Sequence, residues 1–320
     1  MTKLIIQIPC YNEEGVLATT LAALPKEVDG IDTVEILVID DGSSDRTAEV
    51  ARENGVDHIV RLPRNRGLAA AFMAGLRASI DAGADVIVNT DADNQYCADD
   101  IPKLVAPVLA GSAEIVIGAR PIAEIEHFSM VKKTLQKLGS WAVQQASNTN
   151  IPDAPSGFRA ISRDAAMQLN VFNNYTYTLE TIIQAGQKNM AIISVPIRVN
   201  GELRPSRLVK SVTSYVFRSL LTIIRIFILY RAFRFFAAMG TVLFGGGFLL
   251  GLRFLYFYAV GEGDGHIQSV LLGVGLMTMG FVALIFGIIA DLVSINRKLL
   301  ERVTVQVQRT DRLLRERDGE

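Results

Sequence analysis

Three acidic clusters stand in the N-terminal third of the chain. They are Pro9-Cys10-Tyr11-Asn12-Glu13-Glu14, Asp40-Asp41-Gly42-Ser43-Ser44-Asp45 and Thr90-Asp91-Ala92-Asp93-Asn94-Gln95-Tyr96. Carboxylates that converge on one edge of a fold repel one another, and a divalent cation bridged to a diphosphate relieves that repulsion. In Asp91-Ala92-Asp93 the two carboxylates are two residues apart, so in extended backbone both project to one side. Hard oxygen ligands at this spacing suit Mg²⁺ or Mn²⁺ held in part by substrate phosphates. Asp-x-Asp alone is commonly a solvated turn. After a buried strand, with Asp40-Asp41 on a parallel strand, it carries far more weight.

The elements around these clusters are readable. Leu4–Ile8, Glu35–Ile39, His58–Leu62, Asp85–Asn89 and Glu114–Gly118 read as strands. Glu14–Leu24, Asp45–Asn54, Gly67–Ala82 and Asp99–Leu109 read as helices between them. This alternation predicts an α/β domain with a mostly parallel sheet. Ligands of such sheets bind beyond the carboxyl ends of the strands, which is where the acidic clusters fall.

The segments Pro9-x-Tyr11-Asn12-Glu13, Asp40-Asp41-Gly42-Ser43-x-Asp45 and Asp91-x-Asp93-x-Gln95 resemble the signatures of glycosyltransferase family 2, whose fold is the Rossmann-like GT-A nucleotide-sugar-binding domain. Asn65-x-Gly67, Ile117-Gly118-Ala119-Arg120, Asp153-x-x-Ser156-Gly157-Phe158-Arg159 and Val195-Pro196-Ile197 followed by Arg204 extend the resemblance over residues 3–235. The resemblance is to the polyprenyl-phosphate glycosyltransferases of the dolichyl-phosphate mannose synthase type. It implies that Pro9, Tyr11, Glu13 and Asp41, with Asn12 and Asp40 beside them, contact the nucleoside. Asp91, Asp93 and Gln95 would hold Mg²⁺ or Mn²⁺ and the donor diphosphate. Arg120, Arg204 and the pair Lys132/Lys133 would face the acceptor phosphate. The late motif of relatives, Gly-x-Ser-Lys, is Arg204-Pro205-Ser206-Arg207 here, and Lys132-Lys133 stands where relatives often carry two arginines. Arginine for lysine keeps the charge and changes the geometry.

Composition points to a membrane. Of 320 residues 50% are hydrophobic and 20% charged, whereas a soluble domain carries about 25% charged residues. A disordered chain is excluded. Two cysteines exclude a disulfide scaffold and a cysteine-based zinc module, and three histidines argue against a histidine-rich metal site. Residues 1–201 hold 17 Lys/Arg against 24 Asp/Glu, and residues 202–320 hold 15 against 9. The basic half also contains the long apolar runs, so lipid, not nucleic acid, is its expected partner.

Ile267 to Ala290 is 24 residues without a charge, roughly 36 Å of helix against a hydrocarbon core of about 30 Å. Phe235 to Val260 is similar, with Arg253 near its far end, where it can snorkel. The acidic turn Gly261–His266 separates the runs, while arginines flank both outer ends. The positive-inside rule places those flanks in the cytosol. Residues 207–234 alternate basic and apolar sides at helical spacing, as interfacial helices do. The expected organisation is a cytosolic catalytic domain (1–203), juxtamembrane amphipathic helices (204–234), a transmembrane hairpin (about 235–260 and 267–293) and a basic tail (294–320). No signal peptide is visible, so both termini are expected in the cytosol of a multi-pass membrane protein, and the cysteines reduced.

The reaction implied is transfer of a sugar from a nucleotide diphosphate, with UDP-hexose favoured over GDP-mannose, to a polyprenyl phosphate. A phosphate monoester has a second pKa of about 6, so the nucleophile needs no strong base. Single displacement would invert the anomeric centre. Asp153 reads as base or positioning residue. Cys10 and Cys97 read as small filler, His58 and His127 as surface residues, Trp141 as helix packing, and Glu180 as a sugar contact or a helix cap. Two alternatives remain, a processive polysaccharide synthase and a non-catalytic scaffold. The first lacks its Gln-x-x-Arg-Trp motif and the second is at odds with the retained Asp91, Asp93 and Gln95. A homo-oligomer is expected from the resemblance.

Overall fold

The computed structural model describes residues 1–121, 130–171, 177–201, 232–261, 265 and 267–318. The chain divides into two compact units, Met1–Ile223 and Ile224–Glu320.

The first unit is built on a seven-stranded sheet. Its strands are β1 (Lys3–Cys10), β2 (Thr33–Asp40), β3 (His58–Arg61), β4 (Val86–Asn89), β5 (Ile115–Ala119), β6 (Arg159–Ser162) and β7 (Ile192–Pro196). The order is β3-β2-β1-β4-β6-β5-β7, parallel except that β6 runs against both β4 and β5. β1 occupies the centre of the parallel half, and all but its first residue are buried. That explains its near-unbroken apolar run, since a strand covered on both faces has no solvent side to make polar. Leu4, Ile6 and Ile8 pack with Val38, Val86, Val88, Leu104 and Val105 in the main core.

The five strands read from sequence are all present, each within two residues of its expected ends. The helices between them are α1 (Leu17–Ala23), α2 (Thr47–Glu53), α3 (Leu68–Asp81) and α4 (Ile101–Leu109). Helix α1 begins three residues later than the pattern predicts, because Glu13 and Glu14 are held elsewhere. Their backbone N–H groups donate to Thr47 Oγ1 at 2.8 Å and Asp45 Oδ2 at 3.2 Å. A 3₁₀ turn, Ala98–Asp100, takes the first positions expected of α4. The remaining helices are α5 (Met130–Ser147), α6 (Arg163–Gln168) and α7 (Thr178–Gln187). Ser162 caps α6, accepting from the Ala165 N–H at 3.2 Å.

The second unit is an antiparallel pair, α8 (Ala232–Ala259) and α9 (Ile267–Asp318). Both are long and apolar enough to cross a membrane, α9 over Ile267–Asn296. Glycine sets their spacing. A Cβ on Gly247 would lie 2.5 Å from the Gly273 carbonyl, and one on Gly280 would lie 2.6 Å from the Phe244 nitrogen. Gly240 and Gly247 repeat every seven residues on one helix, and Gly273, Gly280 and Gly287 on the other. Backbones can approach this closely only where side chains are missing, the usual device of helix pairs in lipid. Helix α9 does not end with its apolar run and continues unbroken through the basic residues to Asp318.

Candidate active site

The first wall of the site is built by the residues after β1 and β2. Asn12 adopts the left-handed conformation at φ 55°, and its side-chain oxygen accepts from the Ser44 N–H at 2.9 Å. Its own N–H donates to Ser43 Oγ at 2.9 Å. Asp40 is fully buried at the end of β2. One of its oxygens accepts from the Ser43 N–H at 2.8 Å and the other lies 3.2 Å from Arg61 Nε. The two Asp41 oxygens accept from the Arg66 and Gly67 N–H groups, each at 2.8 Å. Asp41 therefore ties the loop after β3 to the end of β2. Gly42 allows the same closure: at φ +68°, a Cβ there would lie 2.6 Å from the Asn65 nitrogen. Gly42, Ser43, Arg61, Leu62 and Pro63 line a cavity of about 380 Å³ against this wall. Pro9 is buried and Tyr11 is 44% exposed.

The second wall is the loop after β4, and its electrostatics differ. Asp91 sits where a Cβ on Gly157 would come within 2.9 Å of its carboxylate. Burial, and next the neighbouring Asp93, raise its pKa from 3.8 to about 6, although Arg120, Arg159 and the Tyr96 hydroxyl pull the other way. Asp93 accepts from the Gln95 N–H at 3.2 Å. Two carboxylates that disfavour each other's charge are what a divalent cation would relieve. Among the described residues no group of three or more His, Cys, Asp or Glu side chains could hold a metal. The two carboxylates fit a hard cation only in part, so an ion there would need the Gln95 amide and substrate phosphates to complete its oxygen shell.

A buried polar chain supports this loop. Asn89, at the end of β4, accepts from Gln7 Nε2 at 2.9 Å. It donates to the Gly157 carbonyl at 2.9 Å and the Tyr177 hydroxyl at 2.8 Å. The Tyr96 hydroxyl accepts from the Gly157 N–H at 2.9 Å. Tyr96 stacks on Phe158 and Tyr177 on Phe72. Arg159 is fully buried, with its guanidinium carbon 5.3 Å from the Tyr177 ring centroid.

Arg120 and Asp153 form one unit. Arg120 Nε and Nη2 donate to the two Asp153 oxygens at 2.8 and 3.0 Å, and the Arg120 N–H adds a third bond at 3.1 Å. The pair is nearly sealed from solvent, at 13% and 1% exposure. Burial opposes the arginine charge, but Tyr96, Asp153 and Asp91 outweigh it and push the pKa up. Both Asp153 oxygens are thus engaged in one bidentate, charge-assisted pair.

A strap from the end of β7 closes the second wall from outside. Asn200 donates through its N–H to the Gln95 carbonyl at 2.8 Å. Its side-chain amide reaches the Asn94 carbonyl at 3.0 Å and the Tyr96 carbonyl at 3.2 Å. Arg198 grips the buried Asp100 through its N–H at 2.7 Å and through Nη2 at 2.9 Å. Lys103 Nζ lies 2.7 Å from the same carboxylate. Burial opposes ionisation of Asp100, yet these cations hold its pKa at about 2.

The structure thus brings Pro9, Asn12, Glu13, Asp40 and Asp41 to one wall, and Asp91, Asp93, Gln95, Arg120 and Asp153 to the other. Arg204, Ser206 and Arg207 lie outside the described residues, as does His127. Lys132 and Lys133 lie in the first turn of α5, and their side chains are outside the described residues too. Glu180 is buried on α7, accepting a long bond from Gln184 at 3.5 Å. His58 pairs with Glu35 at 2.8 Å, and Trp141 is half exposed on α5. Cys10 is buried, and burial together with Glu13 and Asp40 pushes its thiol up, which suits inert filler. Sequence reading did not find Asn89, Tyr96, Tyr177, Arg198 or Asn200. Only Tyr96 carried a signal, its place directly after Gln95.

Residues 5–169 match the family described as glycosyl transferase family 2. An undecaprenyl-phosphate mannosyltransferase of Micrococcus luteus is 28% identical over 217 residues, spanning 64% of this chain and 87% of that protein. A UDP-N-acetylglucosamine–dolichyl-phosphate N-acetylglucosaminyltransferase of Methanococcus voltae is 28% identical over 212 residues, spanning 60% and 83%. Among solved structures, glucosyl-3-phosphoglycerate synthase of Mycobacterium tuberculosis, in complex with Mn²⁺, UDP and glucosyl-3-phosphoglycerate, superposes with a TM-score of 0.55 at 22% identity, covering 69% of this chain and 80% of that one. That likeness shows the GT-A fold.

Proposed function

The chain belongs to glycosyl transferase family 2, and from that premise we propose that it moves a sugar from a nucleotide diphosphate to a polyprenyl phosphate at a membrane. The observation that carries the reading is the pairing of Asp91 and Asp93, one of them raised to about 6, with the Arg120–Asp153 unit, in a chain that also holds two membrane-length apolar helices. Polyprenyl-phosphate transferases among the relatives support the acceptor class. UDP-hexose is favoured over GDP-mannose as donor. The apolar hairpin would keep the chain at the membrane, crossing it twice with the catalytic unit and both termini in the cytosol.

In this reading the β1/β2 wall takes the nucleoside. Asp91, Asp93 and Gln95 hold Mg²⁺ or Mn²⁺, which when bound neutralises the charge of the leaving diphosphate. Arg120 binds the acceptor phosphate, and Asp153 fixes the direction its guanidinium presents. Arg204, Arg207 and Lys133 would add cationic contacts to the same phosphate, and Ser206 a hydroxyl. The acceptor phosphate is already anionic at neutral pH, so positioning replaces base catalysis. The test is a donor panel. Full-length protein in detergent, with Mn²⁺ or Mg²⁺ and a polyprenyl phosphate, is offered radiolabelled nucleotide sugars. Label entering the organic phase from one donor is the expected result. Label confined to the aqueous phase with every donor would overturn the lipid acceptor.

A further inference from the structure

We propose that Tyr96 is a positioning residue that sets the orientation of the Asp91 carboxylate through its buried hydroxyl. The inference rests on the reading of Asp91 as a metal ligand and adds a residue to that site. Tyr96 is 4% exposed, and its ring is fixed by stacking on Phe158, with centroids 5.0 Å apart. Its backbone is fixed independently: its carbonyl accepts from Asn200 at 3.2 Å, and it forms a β-bridge with Val199. The hydroxyl is therefore held in place by the fold, not by a ligand.

A hydroxyl has one proton to give. The Tyr96 oxygen accepts from the Gly157 N–H at 2.9 Å, so the proton points elsewhere. The Tyr96 hydroxyl bonds to the Asp91 carboxyl, which packs so closely over Gly157 that a Cβ there would sit 2.9 Å from one oxygen and 3.1 Å from the other, with the Tyr177 hydroxyl also 2.9 Å from that point. Tyr96 thus joins the Gly157 backbone to Asp91, and the loop of the second wall to the segment that carries Asp153. Hydrogen bonds to a ligating carboxylate fix its orientation, and losing one typically weakens metal affinity by about tenfold or more.

Tyr177 supplies a matched control. It is buried too and stacks on Phe72, and its hydroxyl also lies beside Gly157 and Asp91, but its bonds run to the Gly157 carbonyl at 3.4 Å and from the Asn89 amide at 2.8 Å. Tyr96→Phe and Tyr177→Phe each delete one buried hydroxyl from the same core. The experiment measures the Mn²⁺ concentration that half-saturates binding of a nucleoside diphosphate (UDP and GDP in parallel) to full-length protein in detergent, with the melting temperature of each variant. Tyr96→Phe is expected to need about tenfold more Mn²⁺, Tyr177→Phe less than about twofold more, with similar losses of melting temperature. Equal Mn²⁺ requirements in the two variants, or no change in Tyr96→Phe, would overturn the proposal. Asn200→Ala, at an exposed position, keeps the hydroxyl and releases the Tyr96 carbonyl together with that of Asn94. It is expected to raise the Mn²⁺ requirement about threefold, the effect of losing one modest hydrogen bond. An unchanged requirement there would count against the proposal even if Tyr96→Phe does not fold. Wild-type protein that binds nucleotide equally with and without Mn²⁺ would instead sink the metal reading of Asp91, and the inference with it.

Discussion

The two walls of the site use the same side chain in opposite ways. At the ends of β1 and β2, carboxylates are spent on the backbone. Asp41 takes two N–H groups of the loop after β3, Asp40 takes one from Ser43, and Asp45 accepts from Thr47. Burial acts to raise the Asp45 pKa, but those bonds bring it below the ordinary value. After β4, on the neighbour of β1, Asp91 is left with charge the fold does not neutralise, and its pKa climbs to about 6. Carboxylates that hold loops are satisfied by the protein. Asp91 is not, and on the proposed reading that difference is what a cation would remove.

The sharpest way to break the comparison is Asp93→Ala. Transfer should fall by about three orders of magnitude, the several kcal/mol that a metal supplies, while the metal-free protein melts no lower than wild type because a repulsion has gone. A loss of activity accompanied by a lower melting temperature would place Asp93 among the structural carboxylates. Next in size is Asp153→Asn, which leaves Arg120 without its charged partner. The apparent KM for polyprenyl phosphate should rise about tenfold to a hundredfold, the cost of about 1.5–3 kcal/mol for a charged hydrogen bond, with kcat less affected. A fall in kcat at unchanged KM would favour the base role.

Asp41→Ala should act through the fold. It frees two loop N–H groups, costing about 1–3 kcal/mol and lowering the melting temperature. The metal requirement for nucleotide binding should stay within about twofold of wild type, because the lost bonds do not reach the metal loop. The smallest effects are those of pH on the metal-free protein, and here the signs differ. Asp91 binds its proton more tightly folded, at about 6, than at the ordinary 3.8. Its protonation therefore adds stability as pH falls through 6, and Asp91→Asn should flatten that rise. Asp100, held at about 2 by Arg198 and Lys103, behaves oppositely. Its stabilisation is full above the unfolded value near 3.8 and is lost as pH falls toward 2, a loss that Asp100→Asn should remove. Melting curves between about pH 2 and 7 read both.

The same contrast explains what the sequence made legible. The β-strand and helix alternation through residue 119 is written in apolar runs of the right length, and the acidic clusters follow the strands that carry them. Strand β6 is not legible, because its four residues begin with an arginine whose burial depends on Tyr177, Thr178 and Ser156. The strap is not legible either, since Arg198 and Asp100 meet across 98 positions of sequence. Asp153 reads as base or positioning residue from its motif, and its bidentate pairing with Arg120 is not legible there, since the two meet across 33 positions of sequence. In the second unit the apolar runs predict both helices, whereas the glycine contacts between them depend on which residues face each other.

The central claim is that Asp91 and Asp93 are kept for a cation that the nucleotide completes. Electron paramagnetic resonance of Mn²⁺ with full-length protein in detergent tests it most directly, with and without a nucleoside diphosphate. The account predicts Mn²⁺ bound tightly only when the nucleotide is present, and no such binding in Asp93→Ala. Mn²⁺ bound equally well by Asp93→Ala, or nucleotide bound equally well after chelation of the metal, would contradict it.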